Sequence, residues 1–214
     1  MKTTDGAPAE RTLSRGDTVS LALFVIAGVA IAAWTVWNVA VRIVELVGGG
    51  PVEVLVEFIG TTADARIGAT TIPVELDRGV ITVEGLDAVG VVPGVLGQLA
   101  FGATIVVVVA CLIALSRNIL RGRVFGKANT RLVAVGGGVG LVGAAAAHFF
   151  DNMLANAAMA NAIDGPFDTA VISVEPFTFV LAAFALAVVG SVFVVGDRLQ
   201  NEREQLKRET EGLV

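Results

Sequence analysis

Four runs of apolar residues divide this chain, and polar segments of very different character separate them. Val19 to Val41, Val91 to Leu115, Leu132 to Phe150 and Phe177 to Gly196 are each 19 residues or longer and nearly free of charge. At about 1.5 Å of rise per residue, each predicts a helix that crosses the roughly 30 Å hydrocarbon core of a bilayer. The first run is too long for the core of a signal peptide, and no small-x-small cleavage site follows it directly, so it is read as a retained span. Residues 1 to 18, polar and rich in Thr, Ala, Gly and Pro, predict a disordered tail. Residues 197 to 214 predict a charged helical tail in which Leu199, Leu206 and Leu213 recur every seven positions and Glu204 precedes Arg208 by four.

The texture changes between Arg42 and Gly90. Gly48, Gly49, Gly50 and Pro51 break the helical pattern, and β-branched residues become frequent. Thr70 to Leu76 and Val80 to Gly85 read as two strands joined through Asp77, Arg78 and Gly79, a hairpin with a glycine for the positive-φ position. Pro73 favours an edge strand. Pro93 suits the first turn of the second span. The pattern of the third span continues through Asp151 to Asp164 until Gly165 and Pro166 stop it. The expected fold is therefore an all-α membrane protein of four transmembrane helices, with a small cap over residues 42–90 that contains a β-hairpin.

Composition strengthens this reading. Hydrophobic residues make up 55% of the 214, charged residues only 16%, and the mean hydropathy is +0.79. Soluble domains carry closer to a quarter charged residues. One folding unit is the simplest count. The lone Cys111 excludes an intramolecular disulfide and falls in an apolar run, where it reads as small core packing. With one histidine there is no His-rich metal centre, and the sequence holds no G-x-S-x-G, Walker A, H-E-x-x-H or paired-cysteine motif. No cofactor, metal or catalytic residue is expected, and the chain reads as a non-enzyme that does not bind nucleic acid directly.

Charge distribution orients the spans. The N-terminal tail, the 116–131 segment and the C-terminal tail hold three, five and four basic residues, against three in residues 42–90 and none in residues 151–176. Lys and Arg are retained on the cytoplasmic side, so both termini and the 116–131 segment are expected inside. The cap, with eight acidic residues, is expected outside. Trp34, Trp37, Phe149, Phe150, Phe177 and Phe179 fall where an outer aromatic belt would sit.

The segment RGRVFGKANTRL, with Arg121, Gly122, Phe125, Asn129, Arg131 and Leu132, resembles the inner loop of the bacterial membrane family called domain of unknown function 2975. The charged tail closing in ETEGLV from Glu209 to Val214 is similar too. The resemblance spans the four-helix layout. It implies a protein of the bacterial cytoplasmic membrane whose relatives have no established activity and are often encoded beside small Cro/CI-type helix-turn-helix regulators.

Two groups of residues are candidate sites. Arg121, Arg123, Phe125, Lys127 and Asn129 form a candidate inner docking loop for a cytoplasmic or membrane protein partner or for anionic lipid head groups. The alternative reading is that the same basic residues set topology and do nothing more. His148, Asn152 and Asn156 share a helical face at i, i+4 and i+8, with Asp151 beside His148 and Arg42 at the end of the first span. This candidate outer patch reads either as a proton- or ligand-responsive site or as polar residues that hydrogen-bond neighbouring helices. The Gly- and Ala-rich third span offers close helix contacts at Gly136, Gly140, Gly143 and Ala147, within the chain or in an oligomer. A regulatory, sensory or accessory role is expected; the alternative is a small transporter or channel subunit acting as an oligomer.

Overall fold

A computed structural model of the chain describes residues 15–121, 126–162 and 176–211. The expected disorder of residues 1–14, the Gly165–Pro166 stop, and Leu213 lie outside the described residues, as do Arg123 and Phe125. The element order is α1 (Arg15–Val47), β1 (Pro51–Ile67), β2 (Thr70–Glu84), α2 (Ala88–Leu120), α3 (Lys127–Ala162) and α4 (Pro176–Glu211). All four helices are long and apolar enough to cross a membrane.

Each helix runs past the apolar stretch that predicts it, and local signals set the ends. Residues 15–18, expected in the tail, are already the first turn of α1. Its C-terminus falls where Gly48 N–H donates to the Val44 carbonyl at 2.9 Å and Gly49 takes φ +70°, a left-handed value that ends a helix without a Cβ clash. Asp87 caps α2, its carboxylate accepting from Gly90 N–H at 3.1 Å. Because α2 starts at Ala88 rather than Val91, Pro93 lies in the second turn and not the first. Pro176 opens α4, where its missing N–H costs nothing. That helix continues unbroken into the charged tail as far as Glu211, and its surface carries the Arg198–Glu202 pair at 3.0 Å.

The hairpin differs most from expectation. Its turn is not at Asp77–Gly79; β2 runs straight through those residues, and the reversal falls at Gly68–Ala69 between Ile67 and Thr70. Gly68 has φ +65° while among the described residues no non-glycine residue has positive φ, which makes this a two-residue turn of the II′ kind. The strands are antiparallel, with Val52 opposite Val83, Val54 opposite Ile81 and Val56 opposite Gly79, and an irregularity between Glu57 and Thr61. Gly79 is extended, and the ring of Phe58 fills the space a side chain would take, 2.9 Å from the ideal Cβ position. The bulk of Phe58 thus explains why a glycine sits in mid-strand. Pro73 is tolerated because a two-stranded ribbon has only edges.

The chain divides into two compact units. One comprises Trp34–Ile105 and Gly140–Val180. The alternation in Pro51 to Glu57 turns Val52, Val54 and Val56 inward, where they join Leu46, Val83, Leu154 and Ala158 in a buried cluster. Each valine so removed from water contributes about 1.5–3 kcal/mol. Close packing of α2 in this unit depends on glycine: Gly94 lies against Leu46 and Leu154, Gly102 against Val39, and Gly143 of α3 against Thr104.

The other unit comprises Met1–Ala33, Val106–Val139 and Leu181–Val214. Within it Gly28 lies against Val109 and Ile113, Gly136 against Cys111, and Gly137 against Leu186. Cys111 is thus a small packing residue, and glycines of α3 receive side chains from α2 and α4 of the same chain. Outward-facing positions on all four helices carry large apolar side chains, among them Ile26, Leu112, Val142 and Phe184. Apolar exposure on this scale is foreign to a water-solvated surface.

Candidate functional site

A cleft of about 480 Å³ opens in the hairpin-bearing unit, where the base of the ribbon meets the helices. Six elements line it. Arg42 comes from α1, Val54 to Glu57 from β1, Arg78 from β2 and Gln98 from α2. From α3 come His148, Asp151, Asn152, Asn156 and the apolar Leu154, Ala155 and Met159, and from the start of α4 come Thr178 and Phe179. The helical period accounts for the α3 contribution, since residues 148, 152 and 156 stand one above another.

Arg42 is the central cation. Its guanidinium pairs with Glu45 at 3.0 Å and also donates to the backbone carbonyl of Glu53, so one side chain ties α1 to the first residues of β1. Arg42 and His148 both lie within electrostatic reach of Asp151. Strand register brings in a second pair: Glu57 and Arg78 are opposite one another, and their side chains meet at 3.0 Å. The His148 and Phe179 rings stand 6.4 Å apart, tilted by 48°. Gly97 gives Asp151 room, because a Cβ there would lie 3.1 Å from the carboxylate and 3.2 Å from Phe150 Cβ.

All five residues of the expected outer patch, Arg42, His148, Asp151, Asn152 and Asn156, therefore border one cavity. Sequence reasoning missed Glu57, Arg78, Thr178 and Phe179 as members of it. For the first two the signal was the Val52–Val54–Val56 alternation, which marks β1 and puts Glu57 at a defined register.

The expected inner docking loop is less coherent. Arg121 follows the C-terminus of α2 and Lys127 opens α3, with Arg123 and Phe125 outside the described residues. Asn129 does not belong to an exposed surface. It is 2% exposed, and its side-chain oxygen accepts a hydrogen bond from Asn118 at 2.7 Å. A polar residue near a helix start reads as solvated from sequence, but here another helix end supplies its partner. Among the described residues no group of three His, Cys, Asp or Glu side chains is placed to hold a metal ion.

Residues 85–212 match the model of a family described as Protein of unknown function (DUF2975). The match begins at Gly85, immediately after β2, so it takes in α2, α3 and α4 and leaves out α1 and the hairpin. It is narrower than the four-helix resemblance read from the sequence. No curated protein and no solved structure matches the chain.

Proposed function

The chain belongs to the DUF2975 family, and on that premise we propose a non-catalytic sensory or regulatory protein of the bacterial cytoplasmic membrane. In this reading its four helices span the bilayer, the termini and the basic 116–131 segment lie in the cytoplasm, and the hairpin stands outside. The outward cleft takes up a small polar solute, and the basic segment meets a cytoplasmic partner.

Support for the reading comes above all from Arg42, a single side chain that lines the cleft and holds the start of the hairpin. A solute that docks on the remaining donors of that guanidinium sits on the same rigid planar group that holds the Glu53 carbonyl and Glu45, so occupancy of the cleft bears on how the ribbon is tethered. Coupling of this kind suits a receiver of signals. The surrounding Gln98, Asn152, Asn156 and Thr178 offer donors and acceptors against an apolar wall, the usual make-up of a small-molecule site.

The test is hydrogen exchange on the full chain in lipid nanodiscs, with and without a mixture of free amino acids, monosaccharides, carboxylic acids and polyamines. Protection of residues 52–57 and 148–156 is expected. Unchanged exchange with the complete mixture overturns the reading.

A further inference from the structure

The charges around the cleft are balanced, and from that balance we infer that its ligand is a small zwitterion: one carboxylate, one ammonium and an apolar body. The inference rests on the reading of the cleft as a ligand site and names the class of molecule it takes. Two guanidinium groups, Arg42 and Arg78, and two carboxylates, Glu57 and Asp151, line the cleft, with the His148 imidazole within electrostatic reach of Asp151. The signs are interleaved. Arg78 touches Glu57 at 3.0 Å, and Arg42 lies within electrostatic reach of Asp151.

This pattern disfavours a solute with a single charge. An anion attracted to either guanidinium meets a carboxylate beside it, and an amine attracted to either carboxylate meets a guanidinium. Both penalties grow as water is excluded from the cleft. A dipolar solute satisfies both signs at once. Its carboxylate lies towards Arg42, whose five N–H donors outnumber its two contacts with Glu45 and Glu53, and its ammonium lies towards Asp151. The side-chain amides of Gln98, Asn152 and Asn156 accept and donate alike, so they serve either pole without favouring one. Val56, Met159 and Phe179 furnish an apolar wall, which favours a branched or aromatic amino-acid side chain over a bare glycine skeleton. A volume near 480 Å³ sits in the lower part of the range for small-molecule sites, about 300–1,000 Å³, and suits a single amino acid or a dipeptide.

The experiment uses the full chain in nanodiscs and four probes: L-leucine, 4-methylpentanoate (the same skeleton without the amine), 3-methylbutylamine (the skeleton without the carboxylate) and glucose. Binding is followed by calorimetry and by exchange protection at residues 148–156. L-leucine is expected to bind, with each single-charge analogue weaker by about tenfold or more. Asp151→Asn is expected to weaken L-leucine and to narrow the gap to 4-methylpentanoate. Asn156→Ala, which leaves every charge in place, is expected to weaken binding while keeping the ranking, and it is the second variant should Asp151→Asn fail to fold. If either analogue or glucose binds as tightly as L-leucine, the zwitterion assignment falls while the cleft stands as a ligand site. If neither these probes nor the wider solute mixture protects the cleft, both fall.

Discussion

Asn118 and Asn129 meet across the ends of α2 and α3, the Asn118 amide donating to the Asn129 side-chain oxygen at 2.7 Å, with Asn129 only 2% exposed. Asn118 lies near the end of α2 and Asn129, eleven residues later, near the start of α3, so this bond closes the short connection. Asn129→Ala removes one partner and strands the other, at a cost of about 1–2 kcal/mol. The expected outcome is a lower unfolding midpoint in detergent micelles. A double-mutant cycle with Asn118→Ala should give a coupling of about 0.5–1.5 kcal/mol. Strict additivity would mean that the two side chains act independently.

Glycines on α3 separate into filled and unfilled positions. At Gly143 an added Cβ would lie 2.9 Å from Thr104 Cβ and closer still to its hydroxyl, which already donates to the Ala100 carbonyl. At Gly138 nothing lies within 4 Å. Gly143→Ala should therefore destabilise by about 1–3 kcal/mol through overpacking. Gly138→Ala should be neutral or stabilising by up to about 1 kcal/mol through helix propensity. Thermal melts of the two variants side by side decide the matter, and equal shifts would contradict the packing.

The hairpin makes a similarly paired forecast. Gly68 holds φ +65° in the turn, whereas Gly79 is extended beneath Phe58. Gly68→Ala strains the backbone by about 1 kcal/mol and should speed amide exchange around residues 62–74. Gly79→Ala should act instead on the Phe58 environment and leave exchange at the turn unchanged. Faster exchange at 77–79 than at 68–69 in the native chain would argue for the other turn.

Orientation is open to direct labelling, since Cys111 is the one cysteine of the sequence. In a Cys111→Ser background, Ala69→Cys at the exposed hairpin turn should react with a membrane-impermeant maleimide in intact cells. Arg121→Cys should react only after permeabilisation. The opposite pattern would invert the proposed topology. Trp34 and Trp37, 70% and 67% exposed on α1, should also be quenched by brominated acyl chains if that helix lies in lipid.

What the sequence made legible follows the physics that dominates each level. Long apolar helices need no tertiary information to be read, because a hydrocarbon environment leaves backbone groups no partners except their own. The α3 wall of the cleft was readable for a related reason: His148, Asn152 and Asn156 depend only on helical period. The hairpin was misread because Asp77–Arg78–Gly79 has turn chemistry, and its extension is settled by a long-range contact, Phe58 over Gly79. Glu57 and Arg78 enter the cleft through that register, so they were lost with it. Asn129 was lost because burial of a polar residue depends on the partner, Asn118, which sequence does not place.

Helix α4 runs without interruption from Pro176 to Glu211, 36 residues or about 54 Å of rod. Only about 30 Å of that length is needed to traverse hydrocarbon. The surplus carries Arg198, Arg203, Lys207 and Arg208 as a stiff extension of the apolar part of the helix. If the apolar part of α4 lies in a bilayer, as proposed, its roll or tilt is conveyed mechanically to those charges, with no loop between to absorb the movement.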